Sequence, residues 1–218
     1  MLPCEVHEPA EAATAAVIWL HGLGASGHDF EPIVPHVAVP GLRFVFPHAP
    51  EAPVTINGGY VMPSWYDIRS LDHRSKDRED PAGVRASSVA VGELIAREVG
   101  RGIPESRVLL AGFSQGGAMA LHCGLRRPTP LAGVLVLSGY LVLTDTVETE
   151  MTAAAKATPF WFGHGTRDEV VPVAGGRASY DRVTALGVSA TWHDWPIGHE
   201  VSGDEVRAIR TFFASRLG

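Results

Sequence analysis

Short apolar runs rich in β-branched and aromatic residues recur along the chain at Ala15–Leu20, Leu42–Phe46, Val108–Ala111, Val134–Leu137, Phe160–Gly163 and Ala190–Trp195. Runs of this length and composition read as strands, most of them buried on both faces. Between them, apolar residues at three- and four-residue spacing predict helices near Gly83–Gly100, Gly117–Arg127, Ala174–Leu186 and Gly203–Leu217. Pro128 closes the second helix, because proline cannot continue one. Strands alternating with helices in this way predict an α/β fold, a mostly parallel central sheet with helices on both faces. From Pro47 to about Asp80 no period is sustained, and residues 52–68 are rich in turn formers and aromatics. A loop of that length inside a compact domain is usually functional. No repeat, linker or low-complexity tract interrupts the chain. The expectation is one domain over residues 1–218, without a separate cap and with a fairly open site.

Composition narrows the picture. The 218 residues are 45% hydrophobic and 19% charged, the balance of an ordinary globular protein long enough for one sizeable core. With 24 acidic and 18 basic residues the net charge is −6, which argues against nucleic acid or an anionic membrane surface as a partner. The N-terminus lacks a positively charged segment, and Ala15–Leu20 is too short for a signal core or a membrane span. A cytoplasmic protein without integral membrane association is expected. Cys4 and Cys123 cannot make a disulfide framework, and Cys123 falls on the apolar second helix, where it reads as a buried, inert thiol.

Candidate chemistry begins at Gly112-Phe113-Ser114-Gln115-Gly116, a serine between a buried strand and a helix. The flanking glycines suit a nucleophile elbow, in which a sharp turn lifts the hydroxyl above the sheet edge and leaves no room for side chains two positions away. A serine hydroxyl needs a base, and the base needs a group to hold its tautomer. In α/β-hydrolase folds these follow in the order acid, then histidine, on loops leaving the carboxyl ends of strands. Asp168, after the strand that ends at Gly163, fits the acid. His199, after Pro196-Ile197-Gly198, fits the base. His193 and Asp194 lie within a strand, and His164 precedes Gly165; these read as packing or hydrogen-bonding residues. An oxyanion requires oriented donors. The N–H of Gln115, next after the nucleophile, and that of Leu23 in the loop His21-Gly22-Leu23-Gly24 are the candidates.

That loop also contains Gly22-x-Gly24-x-x-Gly27, the spacing of a dinucleotide-binding turn. The ribose-binding acid that should close the second strand is missing there, since Glu51 lies beyond Pro47 and Pro50, and Pro32 leaves no long helix after Gly27. No nucleotide cofactor is expected. His7, His28, His36, His48, His73 and His122 are scattered without ligand spacing or clustered carboxylates, so no metal site is expected either.

Taken together, His21-Gly22-Leu23-Gly24, His28-Asp29-Phe30, Met62-Pro63-Ser64-Trp65-Tyr66-Asp67, Gly112 to Gly117, Leu137-Ser138-Gly139, Gly163 to Asp168 and Gly198-His199 make the chain resemble the acyl-protein thioesterases and bacterial carboxylesterases of the α/β-hydrolase class. The resemblance implies a Ser114–Asp168–His199 triad, an oxyanion hole from the Leu23 and Gln115 amides, and an acyl groove without a lid. It also implies groove-lining roles for Leu23, Met62, Trp65 and Val170, with core packing of the long loop as the other reading of Trp65. Small acyl esters, acyl thioesters on proteins and lysophospholipids all remain open as substrates, and a homodimer is left open. A hydrolase-fold binding protein without turnover is the alternative of another class, which one ester-hydrolysis assay separates.

Overall fold

The computed structural model describes residues 1–70 and 79–218. The strands are β1 (Cys4–His7), β2 (Ala15–Leu20), β3 (Leu42–Pro47), β4 (Glu51–Val54), β5 (Tyr60–Pro63), β6 (Val108–Phe113), β7 (Gly133–Leu137), β8 (Phe160–Gly165) and β9 (Ala190–Trp195), the apolar runs forming β2, β3 and β6 to β9. Around them lie helices α1 (Val34–Val37), α2 (Pro81–Gly100), α3 (Gln115–Arg126), α4 (Val147–Glu150), α5 (Ala153–Ala157), α6 (Val173–Ala185) and α7 (Gly203–Leu217). The main sheet is seven-stranded in the order β1-β3-β2-β6-β7-β8-β9. Every neighbouring pair in it is parallel except β1 with β3.

Both faces of the sheet are covered, and strand periodicity decides which residue goes where. On β2, Ala16, Ile18 and Leu20 join the core under α2 and α3, whereas Ala15, Val17 and Trp19 join the core under α1 and α7. Fully buried side chains such as Trp19, Phe46, Leu94 and Phe213 each contribute roughly 1.5–3 kcal/mol of transfer free energy. Cys123 is buried, and desolvation pushes its thiol pKa up to about 11, which keeps it an unreactive thiol. Among the described residues, no helix is long and apolar enough to cross a membrane.

The structure departs from the sequence reading in three places. Strand β1 is short, only partly buried and carries Glu5 and His7, so nothing in its composition marks it as a strand. The segment read as a loop contains the antiparallel hairpin β4–β5, whose Pro53 and Pro63 disguise it; Gly58 and Gly59, at φ of 66° and 79°, turn the chain between the strands. The connections also hold α1, α4 and α5, which are too short to show a helical period. After Gly27 the chain makes a 3-10 turn to Ile33 and then four-residue α1, not the long helix that a dinucleotide would need.

Candidate active site

Strand β6 runs to Phe113, two residues further than expected, and α3 starts at Gln115, so Ser114 alone forms the turn. Its φ of 57° and ψ of −119° lie where a non-glycine residue is strained, at a cost on the order of 1–3 kcal/mol that the surroundings must hold. The Ser114 N–H donates to Leu137 O at 2.8 Å, and its carbonyl accepts from Ala118 N–H at 3.0 Å. A Cβ on Gly112 would stand 2.1 Å from Gly116 O, and one on Gly116 would stand 2.2 Å from Leu20 O. Both positions therefore need glycine, because the turn closes on its own backbone and on the end of β2.

The loops after β8 and β9 bring Asp168 and His199 to this turn. His199 Nε2 lies 2.9 Å from Ser114 Oγ, and His199 Nδ1 lies 2.7 Å from Asp168 Oδ2. The other carboxylate oxygen of Asp168 accepts the N–H groups of Val170 at 2.9 Å and Val171 at 2.8 Å. Burial alone would raise the pKa of Asp168, but the bonds from His199 and from the two amides outweigh it and hold the carboxyl below its usual range. An ionised Asp168 accepts a hydrogen bond from Nδ1–H, which keeps the proton on Nδ1 and leaves Nε2 free to accept from the serine. Phe113 packs against the imidazole, ring centres 4.6 Å apart.

The competing residues do not reach Ser114, although His164 Nε2 stands 3.6 Å from Asp168 Oδ2. His164 is buried, donates from Nε2 to Val171 O at 2.8 Å and is kept neutral by desolvation, which lowers its pKa. His193 stacks on Trp161 at 4.7 Å, and Asp194 accepts from Trp192 Nε1 at 2.8 Å. His73 lies outside the described residues.

The loop after β2 abuts the elbow: a Cβ on Gly22 would lie 3.5 Å from Ser114 Cβ. On either side of Leu23, Ala25 N–H bonds Gly22 O at 3.2 Å and Gly24 N–H bonds Pro63 O at 2.9 Å, which fixes the loop. The Gln115 N–H opens α3, one of the amides at a helix start that have no intrahelical acceptor. Its side chain is spent on the long loop, accepting from Trp65 N–H at 3.0 Å and donating to Tyr66 O at 2.8 Å.

Ser114, Gln115 and His199 open into a cavity of about 670 Å³ that Leu23 and Val170 also line. Trp65 and Met62 do not line it, and the groove role expected for them is corrected here. Trp65 is 2% exposed and donates from Nε1 to His21 O at 2.8 Å, so it is core beneath the loop after β2. Met62 turns its sulfur to Asn57 Nδ2 at 3.4 Å and lies under Gly24. In their place the cavity wall carries Phe30, Ile56 and Ile68. Ile56 follows β4 in the hairpin segment, so its contribution is visible only once that hairpin is folded.

A serine on a strained strand-to-helix turn, hydrogen-bonded to a histidine and through it to an aspartate at the carboxyl end of a mostly parallel sheet, defines an α/β-hydrolase. The phospholipase/carboxylesterase family matches residues 3–217. The acyl-protein thioesterase 1 of Cryptococcus neoformans is 44% identical over 176 residues, 79% of this chain and 74% of that protein. Among solved structures, Arabidopsis thaliana SOBER1 superposes with a TM-score of 0.88 at 34% identity, covering 94% of this chain and 99% of that one. Zea mays acyl-protein thioesterase 2 superposes with a TM-score of 0.88 at 26% identity over 100% of both chains. The chain belongs to the phospholipase/carboxylesterase family and is a serine hydrolase of ester and thioester bonds.

Proposed function

We propose that Ser114 is the nucleophile, that His199 takes its proton and returns it to the leaving alcohol or thiol, and that Asp168 orients His199 without accepting the proton. The observation that carries this reading is the continuous hydrogen-bonded line from Ser114 Oγ through His199 to Asp168, opening into the cavity. In the proposal the Leu23 and Gln115 amides hold the oxyanion of both tetrahedral intermediates, and water attacks the acyl-enzyme by the same route. The acyl chain runs along Leu23, Phe30, Ile56, Ile68 and Val170, apolar walls with no cap above them among the described residues. That shelter suits short to medium acyl chains. Asp29, Glu169 and Glu200 border the same cavity, and no lysine or arginine is among its described lining residues. A neutral or basic leaving group fits this border better than one carrying phosphates. The names of the thioesterase relatives favour S-acylated protein as a substrate alongside small esters. Two free cysteines agree with a reducing, cytoplasmic setting.

The test is an acyl-chain series of paired oxygen esters and thioesters with chelator-treated protein, together with a fluorophosphonate label. Turnover should survive chelation, and the label should appear on Ser114 alone. Each methylene that reaches the groove should raise kcat/KM by at most about fourfold, the equivalent of about 0.8 kcal/mol, until the groove ends and the series flattens. Labelling of another serine, or a series with no dependence on chain length, would refute the assignment.

A further inference from the structure

Histidines that stand far apart in the sequence meet at the β1 edge of the sheet. Glu5 and His7 lie on β1, His28 and Glu31 on the 3-10 turn Gly27–Ile33, and His48 directly after β3. Antiparallel pairing of β1 with β3, which sets Cys4 opposite Pro47, carries Glu5 to His48. Glu5 Oε1 is 3.1 Å from His48 Nε2 and 3.5 Å from His28 Nε2, and the three donor atoms all lie within 4.8 Å of one another. A tetrahedral ion with bonds of about 2.0–2.1 Å holds neighbouring donors about 3.3 Å apart, and the two separations to Glu5 bracket that value. Behind His28, Nδ1 faces Glu31 Oε1 at 2.5 Å. A carboxylate in that place fixes the proton on Nδ1 and turns the Nε2 lone pair outward, as in metal-binding histidines. Glu31 is itself held by His7.

We propose that Glu5, His28 and His48 form a binding site for a divalent transition-metal ion of the zinc type, with water completing the tetrahedron. Two imidazoles and one carboxylate suit zinc and its neighbours better than calcium or magnesium, which prefer all-oxygen shells. Solvent reaches the site freely, since the His28 side chain is 63% exposed. Loading has a local cost. His48 Nδ1 accepts the Gly27 N–H at 3.2 Å, so the proton of the neutral ring stands on Nε2; an ion there moves it to Nδ1 and breaks the Gly27 bond. The site is therefore coupled to the loop His21–Gly27 that carries the Leu23 amide, and it does not depend on the triad assignment.

The experiment titrates zinc chloride into tag-free, chelator-stripped protein by calorimetry at pH 8. That pH is chosen because the bond to Glu31 raises the pKa of His28 and a proton competes with the ion. One ion per chain should bind, at least about tenfold more weakly in His28→Ala and in Glu5→Gln, and unchanged in His36→Ala. Zinc should also raise the unfolding temperature of the wild type and not that of His28→Ala. Both substitutions fall on partly or largely exposed side chains, so their metal-free unfolding temperatures should match the wild type. Absence of binding overturns the proposal. So does affinity that persists in His28→Ala and vanishes in His199→Ala, which would place the ion at the triad.

Discussion

Ser114 occupies a backbone conformation that costs energy, as a serine lifted above the sheet edge on a sharp turn must. Ser114→Ala should lose at least about 10³-fold in kcat while remaining folded, because only binding and the oxyanion donors would be left; circular dichroism beside the ester assay checks both halves. The two histidines near the end of the chain separate cleanly. His199→Ala should be as damaging as the serine variant, whereas His193→Ala removes a ring stacked on Trp161 and should leave turnover within about threefold of wild type. Sequence reading missed Ile56 and Ile68 because single isoleucines in an aperiodic segment carry no signal. Ile68→Ala should depress kcat/KM for a medium-chain ester several-fold more than for an acetate ester, whereas Trp65→Ala should lower the unfolding temperature and reduce both alike. Equal losses in the Ile68 variant would assign it to scaffold.

Helix α2 is tied to the sheet by charge as well as by its apolar face. Glu98 is fully buried on α2, with Oε2 2.7 Å from Arg43 Nη1 on β3 and Oε1 3.0 Å from Arg97 Nε. Removing Glu98 leaves Arg43 with Glu8 at 2.8 Å as its remaining carboxylate partner and Arg97 without this one, so Glu98→Ala should cost about 1–3 kcal/mol in urea unfolding, beyond an exposed pair. If the loss is below about 1 kcal/mol, solvent already screens this contact. The principal strands and helices were legible because buried parallel strands leave continuous apolar runs and long helices leave a 3.6-residue period. The β4–β5 hairpin was not, since Tyr60 and Val61 face solvent and its prolines break the strand signal.

Stability of the folded chain should depend on pH through a carboxyl that the sheet and α7 bury together. Glu205 is 2% exposed, donates its backbone N–H to the N-cap Ser202 Oγ at 3.2 Å at the start of α7, and packs its side chain on Gly163 of β8. Desolvation pushes its pKa up to about 7 from the ordinary 4.5, although a hydrogen bond from the Ser202 backbone to the carboxylate opposes this. The native state then binds a proton that the unfolded chain releases between pH 4.5 and 7, so stability falls as pH rises through that window and levels off above it. The loss is about 3 kcal/mol as an order of magnitude. Glu205→Gln should raise the unfolding temperature relative to wild type at pH 8 and change it far less at pH 5. Equal shifts at both pH values would show that Glu205 does not titrate in this range.

The order of strands and helices, the serine between them, and the later aspartate and histidine are local properties, set by side-chain period and turn chemistry over a few residues, and the chain announces them directly. Contact between segments is a different matter. His199 reaches Ser114 across 85 positions and Asp168 across 31, through the parallel register of β6 to β9. Histidines that looked scattered converge because β1 runs antiparallel to β3, and Trp65 turns inward because Gln115 and His21 take its polar groups. Those outcomes depend on which distant backbones share hydrogen bonds and which surfaces exclude water together, and no window of sequence contains both partners.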